Sequence, residues 1–394
     1  MSETNRSALK EFLASIATIK GDLANITAPP FLLASQSTVE FPSYWAEHPS
    51  IFVAPASEPD PEKRALLVLK WFLAALKRQQ YAGRDEKDGV KKPLNAFLGE
   101  LFFADWTDEA GTTKLVSEQV SHHPPITACY LWNDDHGVRA DGFACQSITF
   151  NGSVNIKQMG HAILHVVKYD EDYLIPLPNV KVQGLLTGSP YPELSGTYQI
   201  ISSSGYVSEI DFSGKKLFGI SGKKNIVRAT LSGRRDAGKS KPLYTVEGTW
   251  NDKFTIRDEG SGKDIEVYDT SANPATPLRT ADSTLQDAWE SRKAWGQTIQ
   301  SLNNGQMQAA SDAKSKVEEG QREMRRQEAQ QRNKWQPVFF RNDPQDERYS
   351  KLASLAETTP ELDPQLGFWR FDLDKADAAR KPFHGESRPD NTAS

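Results

Sequence analysis

The sequence predicts a mainly β protein of the α+β class, an antiparallel sandwich or barrel flanked by helical regions. Two observations predict it. Across residues 99–269 short apolar runs recur, bounded by Gly, Asn, Asp and Ser, as in strands joined by tight turns. On either side, residues recur at helical spacing instead. A chain of 394 residues can enclose a cavity and remain stable. Of the two all-β forms, a barrel is the one that closes around a ligand.

Taken in order, residues 7–20 suit an amphipathic helix. Leu9, Phe12, Leu13, Ile16 and Ile19 share one face, and Gly21 is placed to cap it. It is read either as a helix packed on the domain or as a mobile, membrane-touching lid. Ala28-Pro29-Pro30-Phe31 then forces an extended turn. Residues 61–81 read as a buried helix begun by Pro61 and crowded with Leu, Trp and Phe. Lys91-Lys92-Pro93-Leu94-Asn95 reads as a loop carrying two cations, because Pro93 disfavours helix at Lys92.

Strand candidates follow at residues 126–132, 147–150, 162–167, 198–201, 216–220 and 244–250. Asn133-Asp134-Asp135, Asn151-Gly152 and Asn251-Asp252 mark turns between them. Helical pattern returns at Thr284. Residues 307–332 form a polar, charged helix. Beyond it, residues 334–340 are an aromatic anchor that returns the chain to the body. The final dozen residues are polar and are expected to be disordered.

A net charge of −5 does not favour nucleic acid, so anion binding requires a local basic cluster. Two cysteines, Cys129 and Cys145, do not make a disulfide framework and suit a reducing, cytosolic setting. No window approaches the length of a membrane-spanning helix, so membrane contact is expected to be peripheral.

The most informative run is Glu118-Gln119-Val120-Ser121-His122-His123-Pro124-Pro125. In a regular strand His122 and His123 point to opposite faces. Both reach one ligand only if the strand ends or bends there. A metal site needs a third ligand, and neither His-Glu-x-x-His nor a Cys pair supports His161 and His165. Lys314, Glu318 and Arg322 recur every four residues. A step of four turns a helix by about 400°, which makes a slowly drifting stripe. The stripe is either a set of surface ion pairs or a phosphate site with Glu318 accepting from hydroxyls.

These pieces, in this order, resemble the lipid-binding domain of oxysterol-binding-protein-related (Osh) proteins. Gly21-Asp22-Leu23, Tyr44-Trp45-Ala46-Glu47-His48-Pro49, Phe97-Leu98-Gly99-Glu100 and the octapeptide carry the likeness. So do Ser221-Gly222-Lys223-Lys224-Asn225, Glu290-Ser291-Arg292-Lys293-Ala294-Trp295 and residues 317–323. The chain looks most like short fungal members that consist of this domain alone, with no pleckstrin-homology domain.

The resemblance implies a near-closed antiparallel β-barrel around a hydrophobic tunnel, one lipid-binding domain throughout. Its parts are a lid (1–29), an N-terminal helical segment (30–98), the barrel (99–283) and a C-terminal helical region (284–394). It implies a monomeric, non-enzymatic carrier of phosphatidylinositol 4-phosphate and an ergosterol-like sterol, peripheral at Golgi or endoplasmic-reticulum membranes, without cofactor or metal. The headgroup residues carry over to Lys92, Asn95, His122, His123, Lys314, Glu318 and Arg322. The tunnel residues carry over to Trp45, Gln80, Tyr81, Gln158 and Ile26. One departure stands at Ala144, where sterol-binding relatives carry asparagine. A phosphoinositide sensor without sterol, or a phosphoinositide phosphatase, are the competing readings; no Cys-x5-Arg loop supports the second.

Overall fold

The structure, a computed structural model, describes residues 3–19, 21–23, 26–185, 187–212, 224–233, 241–331, 335–356 and 363–391. Its centre, among the described residues, is a sheet of fourteen strands, from Leu101–Asp108 to Lys263–Asp269. Every pairing in it is antiparallel. The strand Val154–Val166 forks. Residues 162–166 pair with Glu171–Ile175, while residues 154–156 pair with Asn179–Gln183. Among the described residues the first and last strands do not pair with each other. Both ends nonetheless bury side chains in one core, Phe102 and Trp106 from the first and Tyr268 from the last. The sheet therefore curls into the predicted near-closed barrel.

Side-chain alternation gives the wall two buried faces. On Leu101–Asp108, Phe102, Ala104 and Trp106 enter the inner core, whereas Leu101 packs outward. On Gly111–His122, Leu115 points in and Val116 and Val120 point out. The helix Pro61–Gln80 plugs part of the interior. Asp60 starts it by accepting from the Glu62 N–H at 3.0 Å, with Pro61 at the position that needs no donor. Val68, Leu69, Phe72, Leu73 and Leu76 are all fully buried.

The outer face of the barrel carries the C-terminal layer. Two buried carboxylates, Glu100 and Glu118, and the half-buried Asp141 fasten it. Glu100 accepts from Trp295 Nε1 at 3.0 Å. Glu118 accepts from the Val338 and Phe339 N–H groups at 2.7 and 2.9 Å. Asp141 accepts from the Phe371 N–H at 3.2 Å. The aromatic anchor at residues 334–340 thus lands where expected from Trp335 onward, and Lys334 lies outside the described residues. The polar helix, Met307–Gln331, belongs to this layer.

Several expectations are corrected. The first helix is Glu3–Ala17, so Ile19 lies beyond its end and is exposed, and Gly21 does not cap it. The strands are longer than their apolar runs: Val138–Phe150 and Val154–Val166 have 13 residues each, because polar residues fill the alternate positions. Lys92–Leu94 is a short strand, parallel to Leu33–Ser37, and not a loop. The tail is not disordered through residue 391. Gln321 Nε2 donates to the Pro389 carbonyl at 2.9 Å and Trp289 Nε1 to the Ser387 carbonyl at 2.9 Å. Gly320 makes room for it, since a Cβ there would sit 2.3 Å from the Asp390 carbonyl carbon. The strand expected at residues 216–220 and the motif residues 221–223 lie outside the described residues.

Burial raises the Glu118 carboxyl to about 7 from the 4.5 of an ordinary glutamate. Between those values the folded protein holds a proton the unfolded chain has released, so stability falls as pH rises through that window. Glu118→Gln removes that proton. Chemical unfolding from pH 5 to 8 should show a pH dependence smaller than wild type's by up to about 3 kcal/mol. Equal pH dependence in the two proteins would refute the assignment.

Candidate lipid-binding site

An apolar cavity of about 320 Å³ occupies the part of the barrel that the helix leaves unfilled, a volume typical of small-molecule sites. One side is the wall of strands Pro125–Asn133, Val138–Phe150 and Val154–Val166. Small residues, Cys129, Ala140, Gly142, Ala144 and Ala162, make it flat. A Cβ at Gly142 would meet that of Ala162 at 2.6 Å, so close strand packing requires glycine there. The first helix forms the opposite side. Leu9, Leu13 and Ile16 are buried and line the cavity. Residues 21–23 pin this helix to the wall: the Leu23 N–H donates to the Ile148 carbonyl at 2.7 Å, and Asp22 Oδ1 accepts from the Ile148 N–H at 2.8 Å.

Four of the five expected tunnel residues line the cavity: Ile26, Trp45, Gln80 and Gln158. Trp45 stacks on Phe72, with ring centroids 5.6 Å apart. Gln80 Nε2 donates to Gln79 Oε1 at 3.1 Å, and Gln158 Nε2 donates to the Pro178 carbonyl at 2.5 Å. Tyr81 is the exception. It follows the end of the helix Pro61–Gln80 and turns into the core beside Trp250, at 6.4 Å between centroids.

The cavity runs out at a polar rim. Lys92, Asn95 and His122 line it, and Lys92 Nζ donates to Asn95 Oδ1 at 2.8 Å. His122 is the last residue of its strand, and a bulge between Gln119 and Ser121 has already broken the alternation. The His122 and His123 rings therefore lie edge to face, 4.6 Å apart, and not on opposite sides. Lys314, on the polar helix, is buried and paired with Glu318. It faces Thr27, Ala28, Pro29 and Pro30 across a second cavity of about 290 Å³.

The charges of these groups reach one another. Burial, then the Lys314 charge, lower the Lys92 ammonium to about 8, and Glu318 partly restores it. Burial and His123 lower His122, with Arg325 adding to the effect and Glu318 opposing it. Loop, strand end and helix thus meet at one rim. The Arg322 side chain is 60% exposed, 4.0 Å from Glu319.

The model of the oxysterol-binding protein family matches residues 12–301 and 297–359. The chain belongs to that family. It is 75% identical over 380 residues to the probable transporter efuK of Hormonema carpetanum, covering 96% of this chain and 55% of that protein. It is 41% identical over 375 residues to protein kes1 of Schizosaccharomyces pombe, covering 93% and 94%. The Osh3 ORD from Saccharomyces cerevisiae, solved with PI(4)P, superposes with a TM-score of 0.69 at 19% identity, covering 97% and 95%. The Osh1 ORD domain, solved with cholesterol, does so with a TM-score of 0.69 at 19% identity, covering 94% and 86%. At that identity the likeness is one of fold.

Two polar residues of this family member's wall escaped the sequence reading. Thr127 stands directly across from Ala144 and donates to Gln119 Oε1 at 2.6 Å; both line the cavity. Alternation from His122 hides Gln119, because the bulge shifts the register. Among the described residues no group of three His, Cys, Asp or Glu is placed to hold a metal. Within the same residues, no helix is long and apolar enough to cross a membrane. Cys129 and Cys145 are free thiols.

Glu318→Gln removes the carboxylate that supports the Lys92 charge. The Lys92 ammonium should then titrate below its value of about 8, read by NMR of isotopically methylated lysines. An unchanged or higher value would break the link between loop and helix.

Proposed function

We propose that this chain is a lipid-transfer protein that takes either phosphatidylinositol 4-phosphate or an ergosterol-like sterol into one lidded cavity and exchanges them between membranes. The observation that carries this reading is continuity: one cavity joins the rim of Lys92, Asn95 and His122 to the apolar wall and lid. Acyl chains or a sterol would fill the bore, and a charged headgroup would stay at the rim. The complexes of the Osh3 and Osh1 domains with PI(4)P and cholesterol are in keeping with both cargoes.

At the rim, His122, His123, Lys92 and Lys314 would donate to phosphate and inositol oxygens in charge-assisted bonds. Asn95 and Glu318 would accept from the ring hydroxyls, and Arg322 stands at the outer margin. Deep in the bore, Gln80 and Gln158 are the groups for a sterol hydroxyl. Ala144 supplies none. One net hydrogen bond is worth only about 1 kcal/mol, and Thr127 stands across from it. A carrier that had given up sterol and senses phosphoinositide alone is the second reading, and Ala144 is what favours it. No step in either reading is covalent.

The lid has a physical purpose. A sterol hides roughly 400 Å² of apolar surface, on the order of 10 kcal/mol, and an uncovered mouth would return much of that to water. Opening against an organelle bilayer lets cargo leave without crossing water.

His122→Ala with His123→Ala should cut extraction of phosphatidylinositol 4-phosphate from vesicles about tenfold or more, with sterol extraction within about twofold of wild type. Equal loss of both cargoes from a folded variant would argue against this headgroup site. Leu13→Asp places a charge on the cavity side of the lid. Fluorescent-sterol release should quicken while the melting temperature holds, and an unchanged off-rate would remove the lid from the mechanism.

A further inference from the structure

Where the strand Val154–Val166 forks, the branch that leaves the main path of the sheet is a hairpin. Its strands, Asn179–Gln183 and Tyr191–Ser195, pair with each other along their whole length. Three pairs join it to the forked strand: Val154 with Val182, Asn155 with Lys181 and Ile156 with Val180. The base of the hairpin is fixed. Val180 and Leu194 are buried in the main core. The Asn179 N–H donates to Tyr198 Oη at 2.8 Å, and Tyr198 Oη donates to the Ser195 carbonyl at 2.7 Å. From the cavity wall, the Gln158 N–H donates to Asn179 Oδ1 at 2.9 Å.

The outer half is held differently. Val182, Leu185, Pro190 and Pro192 line the cavity. Leu185 packs into the cluster of Leu9, Leu13, Ile16 and Leu23, which is the cavity face of the first helix and the segment after it. The Pro190 carbonyl accepts from the Val90 N–H at 3.3 Å, two positions before Lys92. Gly89 is the seat of that contact. A Cβ there would stand 2.9 Å from the Pro190 oxygen, and its φ of +63° is left-handed. The tip therefore touches the first helix with one residue and the rim segment with another. The hydrogen bond is at the long, weak end of the range, and the local contacts of the tip are few beside those of the base. Such a segment opens at less cost than the core strands that carry it.

We propose that Leu185 and Pro190 make this hairpin tip the second leaf of the gate: the lid closes against it, and the two leaves open as one unit. The inference rests on the lidded cavity above and goes beyond it in giving half of the gate to the barrel wall. It also gives lid and rim a shared neighbour, so a change at residues 89–92 reaches the lid through the tip.

The test uses the full chain, first without cargo, and reads amide hydrogen exchange by mass spectrometry. Leu13→Asp, which loosens the lid, should speed exchange of the peptide holding Val90 by about fivefold or more. Gly89→Ala crowds the Pro190 seat and alters no residue of the lid cluster; it should speed exchange of the peptide holding Leu23. Gly262→Ala puts the same left-handed strain, at φ +67°, in the turn before the last strand of the sheet and should leave both peptides as in wild type. A second arm follows release of a fluorescent sterol. Leu185→Asp should quicken it, and the double variant with Leu13→Asp should stay within about twofold of the faster single variant, because one unit opens once. If no sterol binds, the exchange arm still decides the gate, and only the cargo reading fails. Exchange at Val90 that ignores Leu13→Asp while Leu23 ignores Gly89→Ala, or release rates that multiply in the double variant, overturns the inference.

Discussion

The site depends on how the C-terminal layer is fastened to the barrel. His122 and His123 belong to a strand end, whereas Lys314 and Glu318 belong to a helix almost two hundred positions later in the chain. No backbone hydrogen bond of the sheet sets the distance between them. Glu100, Glu118 and Asp141 set it, each a wall carboxylate that accepts an N–H from the outer layer. Glu100 and Glu118 are buried and Asp141 is half-buried, and desolvation raises their carboxyls to about 7, 7 and 6. A buried carboxylate is unfavourable unless satisfied, so each admits few geometries for its donor. The energetic penalty is converted into positional accuracy for the rim.

The barrel wall serves both sides of this arrangement because a strand alternates. The residues that hold the outer layer, such as Val116 and Val120, occupy the positions between those that form the bore and inner core. Neither face is free to mutate toward polar surface. The inner face then divides. Where the helix Pro61–Gln80 packs, large residues such as Trp106 and Phe254 fill the space. Where it does not reach, small wall residues leave the cavity. The bore is thus the remainder of a barrel too wide for its plug.

Much of this is legible in the sequence, and the misses have identifiable causes. The long apolar pattern of residues 61–81 gave a helix because only a buried helix sustains it. The His-His-Pro-Pro corner placed a strand end because proline stops a ladder. Tyr81 was misplaced since a helix C-terminus redirects the next side chain by a turn that local pattern does not encode. The tail looked disordered from composition, but Gly320 and Gln321 receive its backbone, and backbone docking leaves no hydrophobic trace.

The rim's basic groups repel one another, and that shapes what it can hold. Lys92 is pushed down to about 8 by burial and by Lys314; His122 is depressed by burial, His123 and Arg325. Glu318 is the carboxylate that eases both. In the proposed site an arriving phosphate would take over that task for several cations at once, so part of its affinity would be the relief of repulsion already present. A neutral cargo relieves nothing there and must be held by the bore alone. The two ends of one cavity therefore select by different physics: the rim by charge, which falls with salt, and the bore by apolar area, which does not. Under the proposed exchange, acyl chains and a sterol would claim the same bore, and the rim's preference would decide which cargo displaces the other.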